Sequence, residues 1–425
     1  MTTHNLASGP IVRCRGTADF LAALPHLTGF TADDSVFVVC FIGARSGAAV
    51  RFDLPESEAP SDTASLLDFL SGLTSDIAHT HGEPCAVAIV ITSSKSFVSE
   101  GGPPWRQLAQ QIERRLRRDG VAVRELCVVA SDGWVSFLDR RAPSYGRPLS
   151  DITNSPVARD ALQHSEPPVA LDKLGEIPAA DPERASAIAR EIAATHPFDS
   201  PGSERTSPPP LEPGAHSRPS PARLTAAAAA VRQLRSYDPA SVSDTARLAQ
   251  AATQSDLWLV IALGVLTRPE FPLELAADLP LGNFSGVPVD LACDVQADTE
   301  ADRDAAHGPP PGWSIYRILA SICPGFTEQD RLPHLCTRLG EAIAETPTRL
   351  RPGLLALSAW VWWLYGNQTV AQRQLRAALS IDPAHAVSLM VERLTSEPLY
   401  ERLISAGAPR RVADQPPQSR RTAQQ

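Results

Sequence analysis

Lysine is almost missing from this chain: of its 39 basic residues only Lys95 and Lys173 are lysines. We read the skew as a high-GC coding bias, and it says nothing about partners. A positive surplus is missing too. The 39 basic residues stand against 48 acidic ones, for a net charge of -9, which leaves no basic footprint of the kind that grips nucleic-acid backbones. Long apolar runs are also lacking. The longest, 257–266 and 354–364, fall short of the roughly 20 residues of a membrane-spanning helix, so no membrane partner is expected. The start, Met1-Thr2-Thr3-His4, has neither the basic opening nor the apolar run of a secretory signal, and a cytoplasmic protein is expected.

The seven cysteines (14, 40, 85, 127, 293, 323 and 336) form an odd set without a C-x-x-C pair. That excludes a disulfide framework and a paired zinc knuckle, and buried reduced thiols are expected. His334 and Cys336 are two apart on a predicted helix and face different ways, so with His307, Cys323 and Cys293 they lack metal-ligand spacing. No metal is expected. The chain also has no G-x-S-x-G, no G-x-x-x-x-G-K-[ST] and no G-x-G-x-x-G, so neither a recognisable nucleophile nor a nucleotide loop stands out, and no cofactor is expected.

What the chain has is a patterned first third. The spacing predicts a strand over 11–15, a helix over 17–24 and strands over 35–42 and 48–54. Seven apolar residues in a row, Val36 to Ile42, suit a strand covered on both faces. The next strand alternates: Val50, Phe52 and Leu54 point to a core, and Arg51 and Asp53 to a rim or solvent. Ser61 is expected to cap a helix ended near Gly82, and 85–92 is a second apolar strand. Trp105, Leu108, Ile112 and Leu116 line the apolar face of a helix, and Ser131-Asp132-Gly133 turns a hairpin. With 43% hydrophobic residues in 425, the chain can bury a large core.

The expected fold class is α/β: a mixed-sheet domain over 10–150, followed by a mostly α-helical C-terminal region. Between them lie a helical extension over 151–196, in which Asp181-Pro182-Glu183 opens a helix to about Ala194, and a Pro-rich flexible linker over 197–222. The helical region spans 223–405, with helices over 313–322, 328–344, 350–365, 369–381 and 383–394, and 406–425 reads as a disordered tail.

In open α/β sheets ligands gather beyond the carboxyl ends of strands. That position makes Asp53, Ser93, Ser94 and Lys95 candidate ligand-binding residues, with Lys95 able to hold an anion or carbonyl. Asp33-Asp34-Ser35 is explained by turn chemistry, and the arginines 114, 115, 117 and 118 by a solvated helix face.

Residues 357–383 resemble a single tetratricopeptide repeat, on Ala359 and Trp362, the turn at Gly366-Asn367, then Ala371, Leu375, Ala378 and Asp382-Pro383. Trp360, Trp362, Trp363 and Tyr365 are more aromatic than one buried face needs, so Trp360, Trp363 and Tyr365 are candidate contacts for a partner protein. On the run from Arg15 to Phe30, on Asp34-Ser35, Arg51-Phe52-Asp53-Leu54-Pro55, Asp132-Gly133-Trp134 and Ser155-Pro156-Val157-Ala158, and on the C-terminal hairpin, the chain resembles an actinobacterial family, the domain of unknown function 4192. The resemblance implies an architecture and a bacterial cytosolic setting, and no activity to carry over. Two functions follow as expectations. One is a non-enzymatic protein-interaction or regulatory protein that docks a partner through its C-terminal helices; the other is an enzyme or small-molecule sensor with a pocket at the carboxyl edge of the sheet.

Overall fold

The computed structural model describes residues 2–4, 14–43, 45–164, 167–194, 221–266, 269–270, 273, 327 and 329–396. The expectations for 11–13, for most of the linker, for 274–326 and for the tail lie outside the described residues. The chain divides into two compact units, with the boundary between Pro168 and Val169.

The first unit carries a mixed sheet in the order β4-β3-β5-β6-β7. β1 (Thr2–His4) opens the chain, and the strands of this unit's sheet are β3 (Ser35–Ile42), β4 (Arg45–Asp53), β5 (Cys85–Thr92), β6 (Ala122–Val129) and β7 (Trp134–Ser136). The two-residue strand β2 (Phe30–Thr31) lies outside this sheet. β3 pairs antiparallel with both β4 and β5, and β5 pairs parallel with β6. As a central strand made of β-branched and aromatic residues, β3 is buried from Ser35 to Cys40, as the unbroken apolar run requires.

Helices α1 (Thr17–Thr28), α2 (Pro60–His81), α3 (Phe97–Glu100), α4 (Arg106–Arg118), α5 (Ser150–Thr153) and α6 (Pro156–His164) complete the unit. Packing of α5 and α6 on α1 extends this unit beyond residue 150. α1 runs on through Pro25 to a left-handed Gly29. The N-cap of α2 is Ala59, with Pro60 opening the helix, so Ser61 sits in the first turn and is not the cap. Its buried stripe is Leu66, Leu70, Leu73 and Ile77, the 3.6-residue spacing expected of a helix lying on a sheet.

The second unit is helical: α7 (Pro182–Ala194), α8 (Pro221–Arg235), α9 (Val242–Ala252), α10 (Ser255–Leu266), α11 (Leu332–Glu345), α12 (Arg351–Leu364), α13 (Gln368–Ile381) and α14 (Ala386–Leu394). Asp181 Oδ1 accepts from the backbone N–H of Glu183 at 3.0 Å, a helix start of the predicted kind. α12 and α13 form a tightly packed antiparallel hairpin around which one core closes.

His385 caps α14. Its Nδ1 accepts from Ser388 N–H at 3.2 Å, and burial lowers its pKa below the ordinary histidine value. The acceptor role requires the neutral ring, so the unfolded chain takes up the proton first as pH falls. The stabilisation is therefore complete above the unfolded value of about 6.5 and is lost below it. Melting curves at pH 7.5 and 5.5 should show a larger drop for wild type than for His385→Asn, by about the 1 kcal/mol of one cap. Equal drops would contradict this role.

Candidate functional site

Register brings the site together. Ser35 lies opposite Asp53 on one side and opposite Thr92 on the other, and Thr92 lies opposite Val129. The carboxyl ends of β4, β5 and β6 therefore share one edge, and the loops after them meet there. All four ligand-binding candidates stand on that edge.

Asp53 is exposed, and one of its carboxylate oxygens pairs with Arg51 Nη2 at 2.6 Å. Arg51 itself is only 5% exposed, where alternation had assigned it to a rim or solvent. Its Nε donates to Ser35 Oγ at 2.9 Å, and Ser35 Oγ in turn donates to the Asp33 carbonyl at 2.7 Å. The alternation placed Arg51 and Asp53 correctly on one face of β4. Only the covering of that face, a tertiary matter, separates the buried guanidinium from the solvated carboxylate.

Ser93 is buried, and its hydroxyl accepts from Trp105 Nε1 at 3.1 Å and from Lys95 N–H at 3.2 Å. Ser94 is bound to Asp34: its N–H donates to Oδ1 at 2.9 Å and its hydroxyl to Oδ2 at 2.8 Å. Asp34 has a φ of 44°, a left-handed conformation tolerated by aspartate at modest cost. Lys95 Nζ lies 3.7 Å from Glu100 and 5.0 Å from the centre of the Trp105 ring. Trp105 is the N-cap of α4, itself left-handed with a φ of 58°, rather than a member of the helical apolar face. A bulky residue held there is braced by its surroundings.

The brace extends across the hairpin. Asp132 accepts from the N–H groups of Phe97 and Val98, at 2.8 and 3.2 Å, and so holds the first turn of α3. The N–H of Ser131 donates to the Lys95 carbonyl at 3.1 Å. Phe97, 2% exposed, lies against Gly133 and Gly146. A Cβ at Gly146 would meet the Phe97 ring at 3.0 Å, and the φ there is 80°, so ring and backbone meet only because glycine leaves the space. The residues next to this contact point outward: Val98 is 85% and Tyr145 77% exposed. Sequence reasoning missed Asp34, Phe97, Trp105 and Asp132 as site residues. The Asp-Gly pair that set the hairpin was legible, but nothing local says that the same carboxylate caps a loop 34 residues away.

The aromatic candidates lie in the helical unit, the two tryptophans buried and Tyr365 half-buried. Trp360 is 0% and Trp363 4% exposed, and Tyr365 packs at the edge of the same core, 5.9 Å from Trp362. Neither Trp360 nor Trp363 offers a surface to a partner. They fill the interior because α12 is covered on all sides by its neighbours. His334 and Cys336 diverge as their spacing requires: His334 stacks on Tyr237 at 4.3 Å, and Cys336 is buried with its thiol pKa pushed up by desolvation.

No single helix among the described residues is long and apolar enough to cross a membrane. No curated protein and no solved structure matches the chain. A family model, described as a domain of unknown function (DUF4192), matches residues 18–265; that span covers strands β2 to β7, the edge network and helices α2 to α9 with all but the last residue of α10, and stops short of the α12–α13 hairpin. The match extends over more than half of the chain, and the protein belongs to the DUF4192 family.

Proposed function

We propose that this chain is a non-enzymatic protein-interaction or regulatory protein whose contact surface is the loop edge of the α/β unit. The observation that carries this reading is the pair Val98 and Tyr145, 85% and 77% exposed, held outward by neighbours that are buried and hydrogen-bonded. Exposed large apolar side chains on a braced loop cost little conformational entropy when a partner covers them. The polar groups that an enzyme would turn toward a substrate engage each other instead: Ser93 with Trp105, Ser94 with Asp34, Lys95 with Glu100. The fitting partner is a protein with an apolar patch of its own. A bacterial cytosolic setting goes with this reading, and the described cysteines are free thiols, the state that a reducing compartment maintains.

Affinity capture with the full chain tests it. The double variant Val98→Ser, Tyr145→Ser should recover a wild-type partner at least about tenfold less well, which corresponds to about 1.4 kcal/mol. Tyr237→Ser, which alters an equally exposed aromatic in the helical unit, should recover it normally. An unchanged set of bound proteins in the double variant would sink the proposal.

A further inference from the structure

At the opposite edge of the same sheet, Cys40 in β3 and Cys85 in β5 stand on one face. Cys40 lies opposite Val87 and Ile42 opposite Cys85, so the two thiols are diagonal neighbours across one antiparallel pair, two residues out of direct register. Both are buried, Cys40 being 1% and Cys85 5% exposed, and the Cys85 thiol donates to the Ala86 carbonyl at 3.7 Å. From these positions we propose that Cys40 and Cys85 are a peroxide-sensitive dithiol that closes reversibly to a disulfide.

The surroundings give the two sulfurs different roles. The neighbouring Cys85 thiol and then burial push the Cys40 thiol well up, whereas Cys85 is drawn below the usual thiol value, against the effect of its own burial, by the neighbouring Cys40 thiol, a backbone hydrogen bond at Phe41 and the charge of Arg124. Arg124 is fixed at this edge by its hydrogen bond to the Gly43 carbonyl and by the Phe41 ring, 4.6 Å from the guanidinium. A thiolate beside an arginine is the usual setting of an oxidisable cysteine. Cys85 is therefore the attacking sulfur. Its thiolate displaces hydroxide from hydrogen peroxide and becomes a sulfenic acid, and that hydroxide takes a proton to form water. Cys40 then attacks the sulfenic sulfur. The S–S bond forms, the S–O bond breaks, and the Cys40 proton leaves with the departing hydroxide as a second water. The two thiols lose two electrons in total and the peroxide gains them.

Diagonal neighbours have Cα atoms about 7–8 Å apart, slightly beyond the span of a relaxed disulfide. Closure therefore draws in the start of β5. Cys85 is its first residue, preceded by a turn over 82–84, so the movement breaks little of the ladder. A bond closed under such strain is readily reduced.

Graded hydrogen peroxide on the full-length protein, followed by blocking of the remaining thiols under denaturing conditions and peptide mapping, tests the proposal. The expected product is a linked Cys40–Cys85 peptide, formed at least tenfold faster than exposed Cys14 is oxidised and removed by dithiothreitol. Cys40→Ala should stop the reaction at a dimedone-trapped sulfenic acid on Cys85. Absence of the linked peptide from the wild-type protein, or preferential oxidation of Cys14, overturns the proposal without reliance on any variant's folding.

Discussion

Gly353→Ala is expected to destabilise the helical unit by about 3 kcal/mol or more, at the upper end of what overpacking costs. Gly353 lies in the first turn of α12, where the helix meets the end of α9. An added Cβ would stand 2.0 Å from the carbonyl oxygen of Ala252 and 2.7 Å from its carbonyl carbon. Both are backbone atoms, so no side chain can rotate to make room, and the two helices must separate. In this unit Ala246, Ala249, Ala251 and Ala252 of α9 are all buried at 2% or less, which shows how closely the backbones pack. For a unit of this size the loss corresponds to a fall in Tm of roughly 6–12 °C. A thermal melt followed by circular dichroism measures it, and a Tm within 2 °C of wild type would show that the crossing yields more easily than its geometry implies.

The second large effect is expected at Trp258, which closes the same crossing from α10. Its ring is fully buried, 6.0 Å from that of Trp360, and its Nε1 donates to the Gly353 carbonyl at 2.9 Å. Trp258→Ala removes the ring and leaves a cavity, for an expected loss of about 3–5 kcal/mol. Trp258→Phe keeps most of the apolar volume but removes the indole donor from that carbonyl, and should cost about 1 kcal/mol. The order Ala worse than Phe worse than wild type in urea midpoints checks the account; a phenylalanine variant as unstable as the alanine one would assign the whole effect to the hydrogen bond. Because Trp258 and Gly353 share that bond, combining Gly353→Ala with Trp258→Ala should cost less than the sum of the two.

Both predictions bear on residues 357–383. The excess of aromatics there suggested an exposed docking face, yet a chain of 14 residues in α12 buries every side chain from Pro352 to Leu364. A helix apolar on all sides belongs in an interior, and α12 lies at the centre of the second unit. The contact surface proposed here is instead a loop edge whose sequence looks ordinary. Val98 follows the buried Phe97 and Tyr145 stands between a serine and a glycine, and what distinguishes the two is exposure, which no local pattern encodes.

The amino-acid sequence by itself determined the α/β class, the central strands Ser35–Ile42 and Cys85–Thr92, and the helix opened by Asp181-Pro182. These follow from local periodicity and chain chemistry: an unbroken apolar run, a 3.6-residue stripe, a carboxylate before a proline. Only the tertiary structure decided the rest. Strand register brought Asp53, Ser35 and Ser93 to one edge and Cys40 to Cys85 at the other, because pairing partners lie 18 to 57 residues apart. Layer packing decided which of two alternating residues was buried, hiding Arg51 while leaving Asp53 in water. Long-range side-chain bonds, Asp34 to Ser94 and Asp132 to Phe97, fixed loops whose own residues carry no instruction to meet.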